Sequence, residues 1–195
     1  MCAAGQYDHD VLAAAALGLG SALSPCMPCP AGSVQPLLGK TQCTMCGAGS
    51  VPNSRATACT ACPAGQYSAS PTMLCTVCSA GSYSPPQAAG STTCVSCVGG
   101  TADVDSNPGT PCVKCVAGTF SSASSTSCNQ CAAGQADLDS DSSTKCIACK
   151  PGFYASRGLT VCTHCPAGYI DSDTNPATPC DGAGHKCSAG HYAPK

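Results

Sequence analysis

Nine C-x-x-C pairs divide this chain at near-regular intervals: Cys26/Cys29, Cys43/Cys46, Cys59/Cys62, Cys75/Cys78, Cys94/Cys97, Cys112/Cys115, Cys128/Cys131, Cys146/Cys149 and Cys162/Cys165. Their first cysteines stand 16 to 19 residues apart. A short fixed period of this kind marks a tandem array rather than a domain built on one core, and each unit is then expected to touch mainly its neighbours.

The unit is clearest from Cys62 to Cys78. It opens Cys62-Pro63-Ala64-Gly65-Gln66-Tyr67, continues through small polar residues, and closes on Cys75-Thr76-Val77-Cys78. An opening cysteine is followed by x-x-Gly eleven times, at Gly5, Gly32, Gly49, Gly65, Gly81, Gly100, Gly118, Gly134, Gly152, Gly168 and Gly190. Glycine at a fixed turn position implies a positive φ or a close backbone approach. Every aromatic residue lies one or two positions beyond such a glycine: Tyr7, Tyr67, Tyr83, Phe120, Phe153, Tyr154, Tyr169 and Tyr192. Each ring is read as the cover of its own loop, a miniature core rather than a binding hot spot.

Such loops cannot rely on buried hydrocarbon. Cysteine supplies 21 of the 195 residues, tryptophan is absent, and large aliphatics are sparse. A chain of this composition is stabilised by cross-links. Secondary structure should be limited to short extended arms and turns, because Pro, Gly, Ser and Asn are dense throughout. The expected fold class is small and disulfide-rich: an elongated ladder of short β-hairpin-like loops, with ten rungs making a rod on the order of 50–100 Å.

Three regions follow from the pattern. Residues 1–25 form a partial repeat, since Cys2-Ala3-Ala4-Gly5-Gln6-Tyr7 nearly repeats Cys62–Tyr67. Their Ala/Leu-rich stretch 11–23 reads as a loop insert closed by Cys26, with a short helix favoured by Asp8 and Asp10 at its positive end. The alternative is a signal-peptide core, against which stands the lack of Lys or Arg before it. Residues 26–180 are the tandem repeats. Residues 181–195 start a further repeat at Cys187, whose closing cysteine does not follow.

Spacing alone allows two pairings. A sequential scheme joins Cys2–Cys26, Cys29–Cys43, Cys46–Cys59, Cys62–Cys75, Cys78–Cys94, Cys97–Cys112, Cys115–Cys128, Cys131–Cys146, Cys149–Cys162 and Cys165–Cys180, and leaves Cys187 unpaired. An interleaved scheme joins Cys26–Cys43 with Cys29–Cys46 and continues to Cys165–Cys187, leaving Cys2. The recurrence of the turn glycine in every loop, and of an aromatic in most of them, favours the first. A longer period of about 34 residues in the second half favours the other. Closing one such loop removes about 3 kcal/mol of denatured-state entropy. That cannot order about 16 residues at about 1–2 kcal/mol each, so neighbouring rungs must contribute.

The longer period comes from acidic runs in alternate loops. They are Asp103-Val104-Asp105-Ser106-Asn107, Asp137-Leu138-Asp139-Ser140-Asp141 and Asp171-Ser172-Asp173-Thr174-Asn175. Their D-x-D-x-[DN] order matches the start of an EF-hand calcium loop, but the glycine at its position 6 and the acid at its position 12 are missing. Calcium is therefore one reading of Asp103, Asp105, Asn107, Asp137, Asp139, Asp141, Asp171, Asp173 and Asn175. Asx-type turns explain the same residues without a metal.

Other chemistry finds little support. C-x-x-C repeats also suit structural zinc, which needs reduced thiolates and hence an intracellular setting. Charged residues make up 9% of the chain and the net charge is −2, so no basic stripe exists to bind nucleic acid or an anionic membrane surface. No run of about 20 apolar residues is present to span a bilayer. His9, His164, His185 and His191 read as surface residues, and no nucleophile–base pair is visible. The chain is expected not to be an enzyme and to carry no cofactor beyond the calcium considered above. The Ser/Thr run from Ser121 to Ser127 suits O-glycans or a solvated turn.

The unit Cys-x-Ala-Gly-x-Tyr…Cys-x-x-Cys resembles the GCC2/GCC3, or ephrin-receptor-like, cysteine-rich repeats. It is also similar to the first submodule of tumour-necrosis-factor-receptor cysteine-rich domains. The resemblance covers residues 2–7 and 26–195 and is strongest at Cys62–Cys78, Cys78–Cys97 and Cys149–Cys165. Val34, Val51, Ala102 and Ala136 depart from it, standing where an aromatic is usual. It implies an extracellular, disulfide-linked spacer or binding array. The expected role is a non-enzymatic structural segment of a secreted or surface protein, with protein partners or self-assembly into a filament. The alternatives are a receptor-type binding module and an intracellular zinc-binding protein.

Overall fold

The computed structural model describes residues 1–8, 26–87, 90–166, 169 and 171–180. The expected helix over 11–23 and the unpaired Cys187 both lie outside the described residues.

Ten disulfides join the second cysteine of one C-x-x-C to the first of the next, at Cα–Cα distances of 5.4 to 5.8 Å. They define ten successive loops: Cys2–Cys26, Cys29–Cys43, Cys46–Cys59, Cys62–Cys75, Cys78–Cys94, Cys97–Cys112, Cys115–Cys128, Cys131–Cys146, Cys149–Cys162 and Cys165–Cys180. No interleaved pair occurs among the described residues. The opening cysteines from Cys46 to Cys165 are buried, whereas the closing cysteines keep partial exposure.

The x-A-G-x sequence explains how each loop starts. In Pro63-Ala64-Gly65-Gln66 the Gln66 amide donates to the Pro63 carbonyl at 3.0 Å, and Gly65 has φ +81°. That is a type II turn, which needs positive φ at its third residue. The same bond recurs from Ser33 to Pro30, Ser82 to Ser79, Thr119 to Val116 and Gln135 to Ala132.

The two residues after each turn glycine then pair with the two middle residues of the next C-x-x-C. Among the described residues this gives nine two-stranded hairpins: β1 (Gln6–Tyr7) with β2 (Met27–Pro28), β3 (Ser33–Val34) with β4 (Thr44–Met45), β5 (Ser50–Pro52) with β6 (Cys59–Ala61), β7 (Gln66–Tyr67) with β8 (Thr76–Val77), β9 (Ser82–Tyr83) with β10 (Val95–Ser96), β11 (Thr101–Ala102) with β12 (Val113–Lys114), β13 (Thr119–Phe120) with β14 (Asn129–Gln130), β15 (Gln135–Ala136) with β16 (Ile147–Ala148), and β17 (Phe153–Tyr154) with β18 (Thr163–His164). The amide of the closing C-x-x-C's second cysteine completes each arm by donating to the turn glycine's carbonyl, as Cys78 does to Gly65 and Cys131 to Gly118. No described residue is helical.

The chain divides into two units, Met1–Val95 with Asn107–Pro111, and Ser96–Ser106 with Cys112–Lys195. Both use the same two ties between loops. First, the residue three positions after the turn glycine donates its amide to the closing arm of the following loop. In the first unit Gln35 donates to Ala56, Ser68 to Ser91 and Ser84 to Pro108. In the second, Ser121 donates to Ser142 and Ala155 to Pro176. Its carbonyl accepts from the preceding turn glycine, as in Gly49 to Ser68 and Gly65 to Ser84, then Gly100 to Ser121 and Gly134 to Ala155.

The second tie reaches one loop further. A methyl group on Gly5 would overlap the carbonyl oxygen of Arg55, and one on Gly118 that of Gly158. At Gly65 it would sit 3.0 Å from the Gly109 nitrogen, and at Gly134 3.0 Å from the Ala177 nitrogen. Each of these contacts joins a loop to the second loop after it. Contacts with the adjacent loop are thus joined by contacts with the next loop but one. The 34-residue period of the acidic runs does not reflect interleaved disulfides.

The core is a string of small residues. Buried hydrophobic positions are cysteines plus Val34, Ala102, Ala136 and Ala155, with Ser68, Ser84 and Ser121 buried beside them. Ala136, Cys149 and Ala155 form one cluster, against which Phe153 and Cys162 pack. Phe153 also meets His164, its cross-strand partner, edge to face at 4.9 Å. The aromatics of the hairpin arms are half-buried.

Candidate functional site

The acidic loops are the first candidate, and the structure separates their residues by role. Asp103 and Asp137 are buried, Asp171 is half-buried, and Asp105, Asn107, Asp139, Asp141, Asp173 and Asn175 are exposed. The first acid of each run occupies the position three after the turn glycine, where other loops carry Ser68, Ser84, Ser121 or Ala155. Asp137 Oδ2 accepts the Gly118 amide at 3.2 Å. The Asp103 amide donates to the Ser125 carbonyl at 3.0 Å.

The later residues of each run hold their own loop. Asp139 Oδ1 accepts the Asp141 amide at 3.1 Å, and its Oδ2 accepts the Thr144 hydroxyl at 3.0 Å. Asp141 Oδ1 accepts the Ser143 amide and hydroxyl at 2.9 and 2.7 Å. The third run repeats the arrangement: Asp173 accepts the Asn175 amide and the Thr178 hydroxyl, both at 2.9 Å. Asn107 Oδ1 accepts the Gly109 amide at 3.0 Å. The chain between the two exposed residues is left-handed at Ser106, Ser140 and Thr174, with φ 54°, 57° and 52°. These are side-chain-stabilised turns that hold a tight reversal in place.

Hydrogen bonding sets the acidity of the exposed carboxyls. Asp139 is lowered from 3.8, chiefly by the Asp141 amide, Asp141 chiefly by the Ser143 hydroxyl, and Asp173 chiefly by the Asn175 amide. Each bond favours the charged form. Among the described residues no three His, Cys, Asp or Glu side chains gather closely enough to hold a metal ion. All twenty described cysteines are in disulfides, so none offers the thiolate that zinc requires.

The second candidate is the exposed apolar residues of the C-x-x-C arms: Met27, Met45, Val77 and Val95 in the first unit, and Val113 and Ile147 in the second. In the first unit a shallow cleft of about 350 Å³ is lined by Tyr67, Val77, Ser79, Thr93 and Cys94. Of the histidines, only His164 is described, and its Nδ1 lies 2.6 Å from the Cys165 carbonyl oxygen. No helix among the described residues is long and apolar enough to cross a membrane.

The position three after the turn glycine carries its own sequence signal. Gly65-Gln-Tyr-Ser68, Gly81-Ser-Tyr-Ser84 and Gly118-Thr-Phe-Ser121 repeat a serine there. The Ser84 hydroxyl donates to the Gln66 carbonyl at 3.1 Å and that of Ser121 to the Thr101 carbonyl at 2.9 Å, each bonding back to the preceding loop.

Comparison with known proteins agrees with this geometry. Residues 18–57 match the family model of the tyrosine-protein kinase ephrin type A/B receptor-like module. The match spans Cys29–Cys43 and Cys46–Cys59, the loops with Val34 and Val51 in the aromatic position, rather than the units closest to the consensus. No curated protein matches the chain. The ladder of ten disulfides and this match together support a cysteine-rich repeat array, of a kind suited to an extracellular or surface setting.

Proposed function

We propose that the chain is a non-enzymatic structural segment, a disulfide-linked spacer within a secreted or cell-surface protein. The observation that supports this reading is where the loops direct their polar groups. The Ser84 and Ser121 hydroxyls, the amides of Gly49, Gly65, Gly100, Gly118 and Gly134, and the amides of Asp103 and Asp137 bond to the adjacent loop, so successive units are spent on one another. A spacer needs this uniformity. Its stability grows with the number of rungs and does not depend on any single one.

Labelling intact cells of the source organism with an antibody to the chain tests the reading. Surface label removed by external protease is the expected result, and label seen only after permeabilisation would overturn it.

A second reading, a receptor-type binding module, is favoured by one feature. Met73, Leu74 and Val77 are exposed within five residues, and Leu74 is 84% exposed, near the cleft that Tyr67 and Val77 line. A soluble ligand whose binding is lost in Leu74→Asp with the melting temperature unchanged would support this reading over the spacer.

A further inference from the structure

We propose that this segment is a force-bearing tether whose extension is capped by its own disulfides; the inference rests on the spacer reading above and adds a mechanical role to it. The reason is the covalent connectivity. Each disulfide joins the end of one C-x-x-C to the start of the next, so tension applied along the chain has a route that never enters a loop. It runs through Cys43-Thr44-Met45-Cys46, crosses to Cys59, runs to Cys62, crosses to Cys75, and continues in this way.

The disulfides bridge sequence separations of 13 to 16 residues from Cys29 onward, and 24 at Cys2–Cys26. Roughly 150 of the roughly 180 residue steps from Cys2 to Cys180 are therefore shielded from load, at about 3.4 Å per step. Each shielded loop is replaced in the load path by a bridge whose Cα atoms are 5.4 to 5.8 Å apart. The oxidised chain is then limited to about 150 Å between Cys2 and Cys180, against about 600 Å for the same residues reduced. Interleaved bonds would not do this. With Cys29–Cys46 and Cys59–Cys75 paired, the residues between Cys46 and Cys59 would have to carry the load and unravel.

In each bridge from Cys46–Cys59 to Cys165–Cys180 the opening cysteine is buried, which leaves only the closing cysteine's sulfur open to approach. Attack by an external thiolate depends on access to sulfur. Hydrogen bonds between loops can break and re-form under load without lengthening the covalent route, so the array yields a little and then stops.

The test is single-molecule stretching of the full chain, fused at both ends to marker domains of known unfolding length, in oxidised form and with dithiothreitol. In the second arm each bridge is reduced to two thiols as the dithiol closes to its cyclic disulfide. The expected result is a cap at about 200 Å for the oxidised full chain, the Cys2–Cys180 limit plus the residue steps outside it, and a length about threefold greater once reduced. The variant Cys131→Ser/Cys146→Ser should add one step of about 45 Å to the oxidised chain. Oxidised chains that release loop-sized steps, or that reach the same length with and without dithiothreitol, would overturn the tether. A capped oxidised chain that nonetheless proves to be buried inside cells would leave the mechanical inference standing and remove the spacer reading beneath it.

Discussion

The amide of Gly118 donates to Oδ2 of Asp137 at 3.2 Å, a bond from one loop to the next in which a carboxylate stands where other rungs use a backbone carbonyl. Gly100 and Gly134 make the equivalent bond to the carbonyl oxygens of Ser121 and Ala155. Asp137 is 5% exposed. Asp137→Ala should therefore strand a buried amide and cost about 1–3 kcal/mol. Asp137→Asn keeps an acceptor and should cost less. Thermal melts of the oxidised protein compare the two, and hydrogen exchange should show faster exchange at Gly118 in the alanine variant only.

Two glycines with the same backbone separate conformational strain from crowding. Gly118 has φ +76° and Gly152 has φ +81°. A methyl group on Gly118 would overlap the Gly158 carbonyl, whereas nothing lies within 4 Å of one on Gly152. Gly152→Ala should carry the left-handed penalty alone, about 1–2 kcal/mol. Gly118→Ala carries that penalty plus a collision between two backbones, and should lower the melting temperature by more than twice as much. Equal effects would mean that the contact between alternate loops contributes nothing.

Restoring the consensus aromatic should do harm where the structure has filled its place. Ala102 and Ala136 occupy the aromatic position of their loops and are both 0% exposed. Ala136 already packs on Cys149 and Ala155 beneath Phe153. Ala136→Tyr should destabilise by at least about 1–3 kcal/mol through overpacking. Tyr154→Phe, at a half-buried position, should be nearly neutral by the same melt.

The exposed acids tie the loop tips to pH. Hydrogen bonds lower the carboxyls of Asp139, Asp141 and Asp173 below 3.8 in the folded chain. A group depressed on folding contributes stability that is complete above its unfolded value and disappears as pH falls through the folded one. The acidic loops should thus hold at neutral pH and loosen only below about pH 4. Carbon-detected titration of the carboxyls checks this, and Ser143→Ala should move Asp141 upward by removing the largest of its bonds. Calcium titrated into the same sample should leave these signals in place, because Asp137 is turned to Gly118 while Asp139 and Asp141 serve their own turn. A calcium-dependent shift confined to Asp137, Asp139 and Asp141 would reverse that conclusion.

Much of the hairpin was legible in the chain itself. A glycine three residues after each opening cysteine specifies a type II turn, and the dense Pro, Gly and Ser content points to short arms. What could not be read was contact between loops far apart in sequence, such as Gly118 with Gly158 or Gly65 with Gly109. No local pattern announces that a backbone two loops away will arrive at a given glycine. The acidic runs show the same limit within five residues. Asp139 and Asp141 behave as Asx residues do in any turn, but Asp137 is spent on another loop, and spacing gives all three the same appearance. Ala136 stands where an aromatic is usual, and what packs on it, Cys149 and Ala155, lies in the next loop.

The shape of every loop depends on which sulfurs are joined, so the most direct measurement is a disulfide map by mass spectrometry of a digest kept oxidised throughout. Peptides linked Cys29–Cys43, Cys46–Cys59, Cys62–Cys75 and onward to Cys165–Cys180 are expected. Peptides linked Cys26–Cys43 and Cys29–Cys46, or about twenty free thiols in the native protein, would contradict it.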